Sequence, residues 1–391
     1  MMVKILVIIL TFAMINYALK KWEAIAYYQL KVKRRLENNK AFPNEQLEMI
    51  TEITNKKILP LTWVEIETTI PEELTIRGEH ITIEKEGAAT FYKHFTIFSL
   101  LMYQRIKRKH TISFSKRGKY MFTDFKVKTS DYFGFKNYER DFKCPVEVLV
   151  YPKLYPVEGL LLDSKSYLGD TTIKRWIIED PTYFNGTRPY TYREPLKKIH
   201  WKATSRTGEI QVKEQQYTSD LSVIFVVNIP FNKYLVCLEN EEAIEELIEV
   251  TATYIDLAQK KGISFGLATN SLMEGEGVNG AIIPPGVDIK QLNRTFDLLA
   301  KIKLASFIPV ERIIDEITSR YLNTCVISIL TTEFNEELLA AISRGRSKGF
   351  SFEVTSYAET IVDFNEIYKF AKVNLIEGGG KGDAKKSIQG T

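Results

Sequence analysis

The run Ser222-Val223-Ile224-Phe225-Val226-Val227 is apolar after its first residue, and nearly every member prefers extended backbone, so it reads as a strand. Downstream, Ile244, Leu247, Ile248, Thr251, Tyr254, Ile255 and Ala258 recur at spacings of three and four. That period predicts a helix from about Glu241 to Lys261 with one packed face, and Gly262 supplies its stop. The alternation continues with a strand at Ser264–Ala268 and helices near Asp288–Lys303 and Val310–Tyr321. A strand at Cys325–Leu330, a helix at Asn335–Lys348 and a strand at Ser351–Ser356 complete it. Strand and helix in turn predict an α/β, doubly wound domain over residues 217–376.

Upstream the pattern differs. The runs Thr62–Thr69, His80–Glu84, His94–Tyr103, His110–Phe114, Lys119–Lys128 and Val146–Tyr151 are short, β-rich and separated by polar turns. Gly78, Gly87, Gly118 and Pro71 punctuate them, which predicts an antiparallel β-sandwich over 41–156. Arg105, Lys107, Arg108, Lys109, His110, Lys116, Arg117 and Lys119 cluster around an expected hairpin, where such charge suits a solvated sheet edge. The length of 391 residues already calls for at least two domains. A hydrophobic share of 45% with 26% charged residues excludes disordered, collagenous and polytopic membrane chains. A net charge of +4 is too even to announce nucleic acid, and three isolated cysteines make no disulfide framework or zinc site.

Ile5 to Leu19 is apolar except for Thr11, Asn16 and Tyr17. As a helix it would span roughly 22 Å at ~1.5 Å per residue, short of a ~30 Å hydrocarbon core. Continuation through Trp22, Ile25, Ala26, Tyr27 and Tyr28 would set aromatic rings at the headgroups, so residues 1–40 are expected to form one membrane helix with a basic juxtamembrane stretch. Lys20, Lys21, Lys31, Lys33, Arg34 and Arg35 follow the segment, which by the positive-inside rule gives a single-pass protein of the cell membrane with a cytoplasmic body. A signal peptide would carry its charge before the apolar run, and a helix buried against the folded body is the remaining alternative.

Between the two expected domains, residues 157–216 hold a segment of unusual composition. From Arg188 to Arg206 it carries Arg188, Arg193, Lys197, Lys198, Lys202 and Arg206 against one acid, Glu194, with Tyr190 and Trp201 interleaved. Extended, it would seek anions; packed, Tyr190, Ile199 and Trp201 would pin it to neighbouring domains. The string R-P-Y-x-x-x-E-P-L-K-K-I-H-W-K-A-T-S-R-T-G-E-I from Arg188 to Ile210 resembles the hallmark of the domain of unknown function 58 family, usually G-x-R-x-Y-x-x-G-D-x-x-x-x-I-D/H-W-K-A-S/T-A-R-x-G. Arg193-Glu194 replaces the usual Gly-Asp, and Ser205 replaces the alanine before the arginine. Arg117-Gly118-x-Tyr120 and Asp131-x-Phe133-Gly134 are similar to that family's strand-rich region. The resemblance implies a von Willebrand factor A-like (Rossmann-like) fold for the α/β part. It also implies a MoxR-type AAA+ ATPase as partner in cell-envelope-related assembly, and Arg188, Tyr190, Glu194, His200, Trp201, Lys202 and Arg206 as the signature residues.

In that fold a divalent metal sits on Asp-x-Ser-x-Ser after the first strand. The corresponding positions here are Asn228, Pro230 and Asn232, which lack the carboxylate a hard cation needs, so the site is degenerate and no metal is expected. His80, His94, His110 and His200 are dispersed, and neither H-E-x-x-H, G-x-S-x-G nor a phosphate-binding glycine loop before a helix is present. No cofactor or small-molecule substrate is indicated. Gly378-Gly379-Gly380-Lys381-Gly382 lies in a stretch, 377–391, read as a flexible tail. The leading expectation is a membrane-anchored, non-enzymatic interaction or adaptor protein. Anion or nucleic-acid binding through 188–206 is the first alternative, and an enzyme centred on His200 with Glu194 or Glu209 the second.

Overall fold

The computed structural model describes the chain outside residues 1–4, 7–9, 11–13, 15–16, 18–20, 23, 78–81, 86–90, 132–133, 135, 156–178, 192–198, 218–221, 232–240, 274–278, 322–324, 358–369 and 377–391. Two units divide it: Met1–Lys153 with Phe296–Lys301, and Leu154–Thr295 with Ile302–Thr391.

The first unit contains β1 (Leu30–Leu36), β2 (Lys40–Ala41), β3 (Leu47–Asn55), β4 (Leu61–Pro71), β5 (Leu74–Arg77), β6 (Thr82–Lys85), β7 (Phe91–Leu100), β8 (Arg105–Phe114), β9 (Gly118–Ser130) and β10 (Asn137–Val150). One sheet runs β1-β3-β8-β5 and the other β2-β10-β9-β4-β7-β6. Period-two burial explains the pairing: on β3, Leu47, Met49, Thr51, Ile53 and Asn55 point inward while Glu48, Ile50, Glu52 and Thr54 are half-exposed. The sandwich interior holds two apolar clusters. Tyr27, Leu30, Ile53, Val64, Ile66, Phe98, Leu100 and Phe125 belong to one. Met49, Ile70, Leu74, Ile112, Phe114 and Phe122 belong to the other.

Strand β8 corrects the reading of the basic cluster. It is not an edge strand, because it pairs with β3 on one side and β5 on the other. Its charges alternate: Lys109 reaches Glu48 at 2.9 Å and Arg105 reaches Glu52 at 3.3 Å on the outer face, while His110 is buried.

The membrane helix and the cell-membrane, single-pass localisation are also corrected. Among the described residues no helix is long and apolar enough to cross a membrane. Trp22 and Tyr27, expected at headgroups, instead dock on the sandwich. The Trp22 indole donates to the Ser130 carbonyl at 3.2 Å, and the buried Tyr27 hydroxyl bonds the Val127 and Tyr138 carbonyls at 2.8 and 2.9 Å. An amphipathic aromatic satisfies its polar tip equally well on sheet carbonyls as at a bilayer. Arg34, counted among the orienting charges, is buried at 8% exposure.

The remaining elements, in chain order, are β11 (Glu179–Pro189), α1 (Trp201–Thr207), β12 (Gln211–Tyr217), β13 (Ser222–Val227), α2 (Glu241–Lys260), β14 (Ser264–Leu272), β15 (Asn279–Gly286), α3 (Ile289–Lys301), α4 (Val310–Arg320), β16 (Cys325–Leu330), α5 (Glu336–Ser347), β17 (Ser351–Tyr357) and β18 (Lys372–Ile376). A six-stranded mixed sheet has the order β15-β14-β13-β16-β17-β18. Strands β14, β13, β16, β17 and β18 pair in parallel and β15 is antiparallel to β14. Strand β13 is buried at every position because both its faces are covered. Ile224 and Val226 pack with Ile313, Ile314 and Ile317 of α4 and Leu338, Ala341 and Ile342 of α5, whereas Phe225 meets Tyr254 of α2 at 6.1 Å between ring centroids.

Strand outweighs helix across the described residues, and the expected fold class is corrected to a mostly β chain. The reading of residues 157–376 passed over β11, β12, β15 and β18, and so counted too little strand. Strand β15 escaped notice because Pro284 and Pro285 argue against strand, yet proline is tolerated on an edge. The two-stranded β11-β12 ladder forms where a linking segment was expected.

Candidate functional site

The signature segment is built on the β11-β12 ladder. Arg188 registers with Val212 and Pro189 with Gln211, and Tyr190 N–H donates to the Ile210 carbonyl at 2.9 Å. Ile199 bridges to Val212; both are buried, at 5% and 1% exposure, and they anchor the entry to α1.

A seven-residue helix is too short to persist alone, so its caps matter. His200 sits at the N-cap, where its Nδ1 accepts from the Ala203 N–H at 3.0 Å and its carbonyl from Thr204 N–H at the same distance. At the other end Gly208 adopts φ +77°, a conformation that costs a side-chain-bearing residue, and its N–H bonds the Thr204 carbonyl at 3.0 Å. The Thr204 hydroxyl accepts from Gln211 N–H at 3.0 Å and ties the helix to β12. The helix is thereby held as a fixed projection with no buried residue of its own.

The projection presents Trp201 at 69% exposure, and Lys202, Arg206 and Ile210 of the same segment are exposed too. Arg188 is exposed and Tyr190 half-buried on the adjoining strand end. Trp201 therefore does not pin the segment; Ile199 and the caps do. Glu194, Arg193, Lys197 and Lys198 lie outside the described residues. The role of His200 Nδ1 as a helix cap is a structural one and leaves that nitrogen unsuited to accept a proton from a substrate without loosening the helix.

The ends of the sheet's central strands hold the degenerate metal-site positions Asn228 and Pro230, both buried; Asn232 lies outside the described residues. Asn228 Nδ2 donates to Thr331 Oγ1 at 2.9 Å, and its backbone N–H to the Leu330 carbonyl at 2.9 Å. Asn270, fully buried, clasps Ile229 with Oδ1 accepting from N–H and Nδ2 donating to the carbonyl, both at 2.8 Å, and Nδ2 also reaches the Ile308 carbonyl at 3.0 Å. Ser306 Oγ bonds the Asn270 carbonyl and Ser356 Oγ the Thr331 carbonyl, each at 2.7 Å. Every participant is neutral. Where a cation would need carboxylates, amides and hydroxyls lock the loop ends to one another, and among the described residues no group of three acids, histidines or cysteines could hold a metal ion. The sequence gave no sign of Asn270 or Ser306, because their pairing is set by the fold.

No family model matches the chain. A curated relative, the uncharacterized protein YeaD of Bacillus subtilis, is 20% identical over 252 residues, which cover 63% of this chain and 58% of the relative. The chain thus matches under two thirds of that relative's length. Among solved structures, a CARDB domain from Pyrococcus furiosus is 13% identical and covers 31% of this chain and 91% of that one, with a TM-score of 0.20. A non-cellulosomal cohesin from Archaeoglobus fulgidus is 9% identical with the same coverages and a TM-score of 0.22. A cohesin–dockerin complex from Clostridium thermocellum is matched at 10% identity over 31% of this chain and 99% of that one, with a TM-score of 0.21. At such scores these neighbours carry no argument about function. The von Willebrand factor A-like expectation is corrected by the chain's own elements, which are mostly β among the described residues.

Proposed function

We propose that this protein is a non-enzymatic adaptor that binds a protein partner through the projecting α1 helix, and that the partner is a MoxR-type AAA+ ATPase. The observation that supports the reading is Trp201, a large apolar side chain held out in solvent on a doubly capped helix. Tryptophan and arginine are the residue types that most often dominate binding energy at protein interfaces, and preorganisation lowers the entropy cost of using them. Lys202, Arg206 and Arg188 add exposed positive charge to the same segment, which suits an acidic surface on the partner and would speed encounter at low salt. The neutral, mutually hydrogen-bonded amide and hydroxyl groups at the strand ends support binding over metal-assisted chemistry. The ATPase as partner rests on the resemblance of the 188–210 string alone.

The test is a pull-down of the cognate ATPase with the full chain, together with its ATP turnover. Retention on the wild type and loss with Trp201→Ala is expected. Absence of both retention and any change in turnover would refute the proposal. If His200→Ala abolished function while Trp201→Ala retained it, chemistry at the imidazole would replace it.

A further inference from the structure

A cationic layer crosses the interior of the β-sandwich, between its two apolar clusters. From one sheet it receives Arg34 of β1, Thr51 of β3, and Arg108 and His110 of β8. Arg34 registers with Thr51, and Thr51 with Arg108, so the two arginines share one sheet face two strands apart, about 10 Å at the usual strand spacing. The other sheet contributes Thr68 of β4 and its cross-strand neighbour His94 of β7. Arg34 Nη2 donates to Thr68 Oγ1 at 2.9 Å, and its guanidinium lies 4.9 Å from the centre of the Phe125 ring. His94 and His110 meet edge to face with centroids 5.2 Å apart. Arg34, His94 and His110 are 8%, 3% and 4% exposed.

This layer is rich in donors and poor in acceptors. Arg34 Nε and Nη1, Arg108 Nε, His94 Nε2 and both ring nitrogens of His110 are buried without a protein hydrogen-bond partner. Among the described residues no carboxylate makes an ion pair with Arg34, His94 or His110; the sandwich acids, such as Glu67 with Lys93 and Lys128, pair among the outward-facing lysines. Burial pulls the Arg34 guanidinium down to about 10, which leaves it charged at neutral pH. An uncompensated buried cation is destabilising, as are buried donors left unbonded.

We propose that the layer is a binding site for a small inorganic anion, a halide such as chloride, enclosed by Arg34, Arg108, His94 and His110. A monovalent anion neutralises the Arg34 charge, accepts from guanidinium and imidazole N–H groups together, and needs no carboxylate. A small ion suits the roughly 10 Å separation of packed sheets better than a larger organic acid does. The site would stabilise the sandwich by mass action, independently of whether α1 binds a partner.

Thermal unfolding of the full chain at constant ionic strength tests this, with gluconate exchanged stepwise for chloride or bromide. The melting temperature is expected to rise with halide concentration, and the rise is expected to vanish in Arg34→Met while the surface control Arg35→Met keeps it. Should Arg34→Met not fold, His110→Phe carries the same comparison. In bromide-soaked crystals of the wild type, an anomalous peak is expected beside Arg34 and His110. Equal melting in gluconate and halide with no such peak would overturn the proposal, as would a halide dependence that survives removal of Arg34.

Discussion

Replacing Asn270 by alanine removes three hydrogen bonds at one stroke: Ile229 N–H to Oδ1, and Nδ2 to the carbonyls of Ile229 and Ile308. The Ile308 carbonyl keeps the Ser306 hydroxyl at 2.7 Å, so the cost falls on Ile229, whose N–H and carbonyl both lose the clasp inside a site with no exposure. Two buried backbone groups left unsatisfied at roughly 1–3 kcal/mol each give about 2–6 kcal/mol, a large part of the ~5–15 kcal/mol that holds a domain together. Urea unfolding followed at 222 nm reads this unit, since helices α2 to α5 carry most of the helical signal. Asn270→Asp keeps the Oδ1 acceptor and forfeits both donations, so it should be destabilised as well, and more so for burying a charge. A loss below about 1 kcal/mol for Asn270→Ala would refute the view that neutral hydrogen bonds, not a metal, organise the strand ends.

The sandwich should weaken in acid. His94 is held down to about 4, chiefly by burial and then by His110 and Arg34; His110 is lowered by burial, Arg34 and Arg108, with Cys144 the other titratable group near Arg34. The unfolded imidazole therefore binds a proton that the folded one refuses, so stability present above about pH 6.5 is lost as pH falls toward 4. The His94 shift amounts to about 3 kcal/mol, and His94→Gln should flatten the stability-against-pH curve over that window. In β14, a Cβ on Gly266 would stand 2.6 Å from the Ile283 carbonyl oxygen and 3.1 Å from Pro285 N, both backbone atoms of β15. Gly266→Ala should cost about 1–3 kcal/mol or more and speed amide exchange along β15; unchanged exchange would contradict that close approach. Asn228→Asp cannot donate to Thr331 Oγ1, so it should lose about 1–3 kcal/mol, and added Mg²⁺ should not restore it; recovery with Mg²⁺ would reveal a latent metal site.

Period and turn chemistry made single elements legible. The strand at Ser222–Val227 and the helix starting at Glu241 stand where their apolar spacing puts them, because each buries its stripe locally. What failed depended on partners distant in the chain. Arg34 reads as a juxtamembrane charge beside Lys33 and Arg35, yet strand alternation turns it inward, and only the β1-β3 register reveals that. His94 and His110 are sixteen residues apart in the sequence and looked unrelated; sheet packing sets their rings in contact. The aromatic residues Trp22 and Tyr27 suit a headgroup layer and the carbonyls of a sheet equally, so composition could not choose between them. In the signature segment one expected role is reversed: Trp201 faces solvent, and Ile199 provides the anchor.

The central claim is that α1 is a binding element whose energy comes from Trp201. Titration of the full-length chain into the cognate ATPase by calorimetry, with wild type and Trp201→Ala compared at equal salt, tests it most directly. Loss of at least ~2 kcal/mol, about thirtyfold in Kd, with unfolding behaviour unchanged, is the predicted result. Equal affinity of the two proteins, or no heat of binding with either, would contradict it.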